Sequence, residues 1–161
     1  MTLSKLSILS VSAAALIGST AIATYAHAGE CPADQMRAGA RTSGETMAKS
    51  VTDTELNSLK LGDQIAGLDG RRLRLRRLVI QPGGVVPWHS HADRPALIMT
   101  LSGSITEYRS TCAVGIEHPA GDVAREQTGY SHWWKNNGKV AAVLIAADIK
   151  NDGAAPDADH M

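Results

Sequence analysis

The 161-residue sequence contains no phenylalanine, only two cysteines and no excess charge of either sign. Its 16 basic residues balance 16 acidic residues, so the formal net charge is zero when the histidines are neutral. This balance gives no indication of a nucleic-acid partner or of binding to an anionic membrane surface. The sequence also lacks internal repeats. Its length fits one small domain rather than several.

The N-terminal segment 1–28 has the pattern of an export signal. Lys5 supplies a positive charge, and the uncharged stretch from Leu6 to Ile22 ends before the small-x-small pattern Ala26-His27-Ala28. No twin arginine precedes the apolar stretch, which favours a Sec-type signal and export of the unfolded chain. We therefore predict a cleaved signal peptide and a periplasmic or secreted protein that is free of the membrane. An uncleaved membrane anchor is the alternative.

The two cysteines, Cys31 and Cys112, both lie in the predicted mature chain. In an oxidising compartment such a pair predicts a disulfide bond. Closing a loop of this length stabilises a fold by at most about 4–5 kcal/mol in the chain-entropy description. Two separate free thiols are the alternative.

Turn residues divide most of the chain into short segments. Asp69-Gly70 and Asn136-Asn137-Gly138 are hairpin signals, and the segments between such turns are rich in Val, Ile, Leu and Thr. Several short strands at this spacing indicate an all-β barrel or sandwich rather than βαβ units. We predict a β domain over residues 55–150. A polar N-terminal arm over 29–54 precedes it, and a polar tail over 151–161 follows it.

Three histidines in two segments form a candidate metal site. His89 and His91 are two residues apart, so in a strand both side chains point to the same face. Two imidazoles on one strand need a third ligand from elsewhere in the chain, and His132 is the candidate. Neutral imidazole is a common ligand of Fe, Mn, Zn, Ni and Cu, and three of them leave open positions for a small molecule. The sequence does not select one of these divalent transition metals.

The spacing around these histidines resembles the cupin superfamily. Its first motif, G-x5-H-x-H-x3or4-E-x6-G, is matched by Gly83, His89, His91 and Gly103. Its second motif, G-x5-P-x-G-x2-H-x3-N, is matched by Gly121, Gly129, His132 and Asn136, with Gln127 in place of the proline. The resemblance covers roughly residues 72–148 and implies a single double-stranded β-helix, or jelly-roll, barrel. A cupin that has lost its metal is the alternative.

The chain departs from the first motif at one residue. The motif glutamate, which is the fourth ligand in many cupins, is Ala96 here. The resemblance implies that oxygen chemistry does not require it, because some cupin-type dioxygenases are thought to work with three histidines alone. A metal held only by His89, His91 and His132 keeps its full charge and favours an anionic, chelating substrate. We therefore expect a metal-dependent oxygenase, in which Glu107 or Glu126 is the candidate catalytic base, or a non-catalytic protein that binds metal or a small ligand.

The remaining polar residues have simpler interpretations. In the run 71–77, alternate arginines (Arg72, Arg74 and Arg76) predict a solvated strand face. Arg77 falls on the other, apolar face, where it needs a partner such as Glu107 or Glu126, or a substrate carboxylate. His118 precedes a proline and is predicted to be a solvated loop residue.

The aromatic and aliphatic residues near the motifs carry two further expectations. Trp134 shares the strand parity of His132, so it either walls the metal cavity or simply packs in the core. Leu97, Met99 and Leu101 alternate with Ala96 and should point away from the site. Three large apolar side chains on an outer face require a cover. We expect a homodimer to provide it, because the N-terminal arm, the alternative cover, is too polar to offer a matching apolar stripe.

Overall fold

The computed structural model describes residues 29–153. The predicted signal peptide and the chain from residue 154 onward lie outside the described residues. Within 29–153 the one helical element is the 3-10 turn Ala33–Gln35, and eight strands make up most of the rest. The strands are β1 (Lys49–Lys60), β2 (Arg71–Ser90), β3 (Ala96–Ser102), β4 (Ser104–Arg109), β5 (Ile116–Pro119), β6 (Val123–Glu126), β7 (Ser131–Lys135) and β8 (Ala142–Asn151). No helix within 29–153 is long and apolar enough to cross a membrane.

The strands form one antiparallel sheet in the order β5-β4-β7-β2-β8-β3-β6, and β1 also pairs with β2. The two ends of this order, β5 and β6, are consecutive in the chain and are joined by residues 120–122 alone. Because so short a connection cannot bridge a flat sheet of seven strands, the sheet curls back on itself into a nearly closed barrel. The predicted all-β barrel is confirmed.

The long strand β2 connects the two halves of the barrel. Its first half, from Arg71 to Ile80, lies between β1 and β8, and its last residues pair with β7. The predicted boundary between arm and domain falls within β1, which begins at Lys49. The core lies inside the barrel and consists mainly of aliphatic side chains from β2, β3 and β8, together with Trp134.

The alternate arginines of β2 face the barrel interior, and the prediction of a solvated face is wrong. Arg72, Arg74 and Arg76 share the parity of the core residue Leu78, and Arg76 is itself buried. Asp148 on β8 is also buried and lies 2.7 Å from Arg74 and 3.4 Å from Arg76. An arginine can face the interior when a carboxylate there pairs with it. The strand pattern alone does not reveal that carboxylate.

The same inversion places Arg77 outside. Arg77 is exposed, and the neighbouring Leu73 and Leu75 are partly exposed on the same outer face. Glu107 and Glu126 are buried inside the barrel. The predicted pairing of Arg77 with either glutamate is therefore wrong.

A glycine is required at the turn between β3 and β4. Gly103, the last residue of the first motif, has a φ of 74°, a region that side chains with a Cβ rarely adopt. A Cβ at this position would also lie 2.6 Å from the backbone oxygen of Ala141. The motif glycine therefore permits both a tight turn and a close approach to the start of β8.

The N-terminal segment is attached to the barrel by a disulfide bond. Cys31 is bonded to Cys112, which confirms the predicted pair. Met36 forms an isolated β-bridge with Cys112, and the backbone nitrogen of Trp88 bonds to the oxygen of Glu45. These contacts fix the segment before β1 against the barrel wall.

The outer face of β3 carries an apolar patch. Ala96 faces the interior, as its alternation with the next residue predicts. Leu97, Met99 and Leu101 are 54%, 41% and 54% exposed, and Val123 on β6 lies opposite Met99 in the ladder. No segment within residues 29–153 covers these side chains.

Candidate metal centre

The strand register brings the three histidines of the two motifs together. His89 lies near the end of β2, His91 follows that strand, and His132 lies on β7 directly opposite His89. All three side chains are buried. The ring centroid of His89 lies 4.9 Å from that of His91 and 4.6 Å from that of His132.

Each imidazole is oriented by an oxygen acceptor at Nδ1. His89 Nδ1 lies 2.8 Å from the carbonyl oxygen of Pro87, and His91 Nδ1 lies 2.6 Å from that of Arg94. His132 Nδ1 lies 2.7 Å from a carboxylate oxygen of Glu107. Because these acceptors carry no hydrogen, all three rings hold their proton on Nδ1.

The three Nε2 atoms consequently converge without hydrogen atoms between them. His89 Nε2 lies 3.0 Å from His91 Nε2 and 3.3 Å from His132 Nε2. Lone pairs at these distances repel each other unless a cation lies between them. The donor set fits a divalent transition metal, whose nitrogen ligands are unprotonated imidazole atoms. These three residues form a cluster that could hold a metal ion.

The electrostatic environment favours the neutral form of two of the histidines, His89 and His91. Burial, followed by the neighbouring His132, lowers the pKa of His89 to about 3. The same two causes lower the pKa of His91. Neutral imidazole is the form that binds metal, so the site favours binding over a wide range of pH.

A hydrogen-bond network around Glu107 contacts His132 on the Nδ1 side of its ring. Glu107 is completely buried on β4, and its carboxylate forms a bidentate pair with Arg109 at 2.8 and 2.7 Å. It also accepts a hydrogen bond from His118 Nε2 at 3.2 Å. Although burial acts in the opposite direction, the hydrogen bonds from His118, His132 and Arg109 hold the pKa of Glu107 far below its usual value. Glu107 therefore carries a permanent negative charge.

His118 belongs to this network, and its prediction as a solvated loop residue is wrong. It lies on β5 and is buried. Its Nδ1 lies 2.6 Å from a carboxylate oxygen of Asp122, and its ring lies 4.8 Å from that of Trp134. The sequence does not show that the chain after Pro119 returns Asp122 to this histidine.

Trp134 serves both of the roles considered for it. It is a member of the hydrophobic core, and its ring centroid lies 5.7 Å from that of His132. The indole thus packs the core while forming one wall beside the histidine cluster.

Glu126, the other candidate acid, also approaches Nδ1 of His132. It is buried at the end of β6, and its Oε2 lies 3.3 Å from His132 Nδ1 and 3.2 Å from the hydroxyl of Tyr130. Its Oε1 is buried and has no hydrogen-bond partner among the described residues. Burial raises the pKa of Glu126 to about 7, against the opposing effect of His132. The pKa of Glu126 is therefore raised by burial, whereas that of Glu107 is lowered by its hydrogen bonds.

Arginine side chains add positive charge beside the cluster. The charges of Arg94 and Arg76 contribute to the low pKa of His89, after burial and His132. Arg74, Arg76 and Arg94 all approach one buried carboxylate, Asp148, at 2.7 to 3.6 Å. Sequence reasoning missed this group, because the pattern placed the arginines outside.

An open cleft of about 610 Å³ lies outside this network and is separate from the histidine cluster. Its wall includes Arg109, Arg125 and Tyr130, and none of the three histidines lines it. Arg109 contacts Glu107, and its guanidinium lies 4.4 Å from the centre of the Tyr130 ring. The cleft thus borders residues that support the site.

Curated proteins with similar sequences include plant germin-like proteins. The chain is 30% identical over 88 residues to nectarin-1 of Nicotiana plumbaginifolia, a match that covers 53% of this chain and 38% of that protein. It is 34% identical over 86 residues to germin-like protein subfamily 2 member 1 of Arabidopsis thaliana, covering 52% and 39%. The match therefore spans about two fifths of the length of these relatives.

Solved structures share the barrel. A predicted oxalate decarboxylase from Thermotoga maritima superposes with a TM-score of 0.53 at 21% identity, covering 74% of this chain and 97% of that one. An oxalate oxidase superposes with a TM-score of 0.50 at 18% identity, covering 71% and 58%. At these identities the likeness concerns the fold.

The family assignment rests on agreement between motif and fold. Residues 76–148 match the family described as "Cupin domain", and this range contains both histidine segments. The similar solved structures have the same barrel. The domain over residues 76–148 therefore belongs to the cupin superfamily.

Proposed function

We propose that this protein is an exported, metal-binding cupin with one divalent transition metal on His89, His91 and His132. The observation that carries this proposal is the convergence of three unprotonated Nε2 atoms. Each ring donates its only proton to an oxygen on the far side, so no hydrogen remains to join the nitrogens. A cation removes the repulsion that this arrangement otherwise creates.

We further propose that the site takes a small, chelating, anionic substrate. The positive charges of Arg76 and Arg94 act on the cluster, and no carboxylate ligand stands at Ala96 to offset the metal. Two solved structures with this fold are described as an oxalate oxidase and a predicted oxalate decarboxylase, both of which act on a small dicarboxylate. A small carboxylic acid is therefore the substrate class we would test first.

A metal held by three neutral imidazoles supplies Lewis-acid chemistry and, if redox-active, oxidative chemistry with O₂. The protein residues keep the three nitrogens oriented through Pro87, Arg94 and Glu107, and they exclude water by burial. Glu107 is ionised and engaged by three partners, so of the two acids Glu126 is the one available to the site, either to hold a proton or to contact a cation. We therefore favour a metal-dependent oxygenase.

The second candidate function is non-catalytic binding of a metal or small ligand outside the cell. The disulfide and the signal-like N-terminal sequence support a periplasmic or secreted location. None of the three histidines lines the open cleft at Arg109 and Tyr130. This observation keeps a binding protein in consideration.

Metal analysis tests the proposal. Protein purified from the periplasm should contain about one transition metal per chain, and His132→Ala should contain little. Oxygen uptake by the Fe(II)- or Mn(II)-loaded protein with oxalate and related acids then separates an oxygenase from a binding protein. A His132→Ala protein that is folded and retains the parent's metal content would show that the histidines are not the ligands.

A further inference from the structure

The position of the missing motif glutamate lies in a row of buried acids. Ala96 on β3 pairs directly with Glu126 on β6 and with Asp148 on β8. All three residues are buried on the interior face. Directly opposed residues on one face of an antiparallel pair have Cβ atoms about 4.5–5.5 Å apart. Residue 96 itself has no carboxylate, but the paired residue on each neighbouring strand has one: Glu126 on β6 and Asp148 on β8.

The two neighbouring acids differ in their partners. Asp148 accepts hydrogen bonds from Arg74 at 3.0 and 2.7 Å and lies within 3.6 Å of Arg94. Glu126 forms no ion pair with an arginine among the described residues. Asp148 is thus a structural counter-charge, and Glu126 is the acid that is still available to a cation.

Both hydrogen-bond donors near Glu126 are already engaged elsewhere. The single proton on His132 Nδ1 points to Glu107 at 2.7 Å, compared with 3.3 Å to Glu126. The single proton of the Tyr130 hydroxyl points to the backbone oxygen of Arg125 at 2.6 Å, compared with 3.2 Å to Glu126. Oε2 thus shares its donors with closer acceptors, and Oε1 has no donor among the described residues. A carboxylate buried in this way is costly to ionise unless it meets a cation.

We propose that Glu126 takes over from residue 96 as the carboxylate ligand of the metal, with the unpartnered Oε1 as its donor atom. This inference rests on the proposed metal site at His89, His91 and His132. Because Oε2 contacts the Nδ1 side of His132, the side-chain torsions of Glu126 must change when the metal binds. The carboxylate ligand would then come from β6 instead of from the paired position on β3. The ligand set would still consist of three histidines and one carboxylate.

A role for Glu126 in orienting His132 does not explain these contacts. Glu107 already accepts the only Nδ1 proton at the shorter distance. Glu107 is also held in place by Arg109, whereas Glu126 has a free oxygen. A second acceptor adds nothing to the orientation of one N–H group.

Substitutions at residues 96 and 126 test the relocation. Glu126→Gln should lower Co(II) affinity by at least about tenfold and change the visible absorption of bound Co(II). Adding Ala96→Glu to Glu126→Gln should restore most of the affinity, because the acid returns to its motif position. In the parent, Ala96→Glu should change the affinity little. Competition with a chromophoric chelator measures affinity, and circular dichroism verifies the fold.

Matched controls separate this inference from the metal site itself. Glu117→Gln removes an exposed carboxylate on β5 and should leave the affinity unchanged. His132→Ala should abolish binding, and its failure to do so would reject the site as a whole. If His132→Ala loses the metal but Glu126→Gln binds Co(II) as tightly as the parent, only the role of Glu126 is wrong. If Glu126→Gln does not fold, a tenfold or greater gain in affinity from Ala96→Glu alone would overturn the proposal.

Discussion

The carboxylate of Glu107 lies 2.7 Å from Nδ1 of His132, and both side chains are completely buried. This contact assigns the proton of the imidazole and directs Nε2 toward His89. Arg109 and His118 hold the same carboxylate from other sides. The orientation of His132 in the candidate metal centre therefore depends on Glu107, which contacts the ring at Nδ1 and not at Nε2.

We expect Glu107→Gln to weaken both the fold and the metal site. The change leaves Arg109 without its charged partner in a mostly buried position. Breaking such a pair costs about 3–5 kcal/mol of unfolding free energy. Metal affinity should fall by about 10–100-fold, because the acceptor for His132 is weakened. Urea unfolding and chelator competition measure the two effects, with Glu117→Gln as the control, and a variant equal to the parent in both would contradict this account.

The stability contributed by His118 should depend on pH. Although burial acts in the opposite direction, hydrogen bonds to Glu107 and Asp122 raise the pKa of His118 above 6.5. Its contribution is therefore fully present below pH 6.5 and is lost as the pH rises through the folded-state pKa. His118→Gln should be less stable than the parent by about 1–3 kcal/mol at pH 6.

That difference should shrink at alkaline pH. Urea unfolding of both proteins with a chelator present removes the contribution of metal binding to the pH dependence. A difference that stays constant from pH 6 to pH 9 would show that the charged form of His118 does not stabilise the fold.

The disulfide should stabilise the fold without holding the metal. Cys31 and Cys112 close a loop across 81 residues, and neither belongs to a group within the described residues that could hold a metal. Reduction should lower the melting temperature, with a loss of at most about 4–5 kcal/mol in the chain-entropy description. Metal content should not change. Calorimetry and elemental analysis before and after reduction and alkylation test this, and release of metal on reduction would link the two sites.

The apolar patch on β3 and β6 predicts a dimer. Leu97, Met99 and Leu101 stand in a row, with Val123 beside Met99. Burying each side chain fully contributes about 1.5–3 kcal/mol, which helps to offset the entropy of association. We expect the parent to sediment as a dimer at micromolar concentration and Met99→Lys to sediment as a monomer.

A control for this experiment places the same charge elsewhere. Ile65 is exposed in the connection between β1 and β2, outside the patch. Ile65→Lys should therefore remain dimeric. A parent that is already monomeric would reject the patch as a self-association surface.

The sequence alone was sufficient for the features that depend on local spacing. His89 and His91 share a face because strand side chains alternate, and the turn residues divide the chain into the short strands of an all-β barrel or sandwich. The burial of Ala96 and the exposure of Leu97 follow from the same alternation. The pair of cysteines left only one intramolecular disulfide to form.

Only the tertiary structure determined which face of each strand meets a charged partner. Arg74 and Arg76 of β2 point inward because Asp148 lies beside them on β8, a strand about 70 residues later in the chain. His118 is buried because Glu107 and Asp122 bond to it from β4 and the following turn.

The relationship of Glu126 to Ala96 likewise depends on pairing between β3 and β6. Strand alternation has a period of two and gives the relative orientation of neighbours within one strand. It contains no information on which residues of distant strands come to lie opposite each other. The three candidate metal ligands could therefore be predicted from a sequence motif, whereas the charged residues around them could be identified only from the closed barrel.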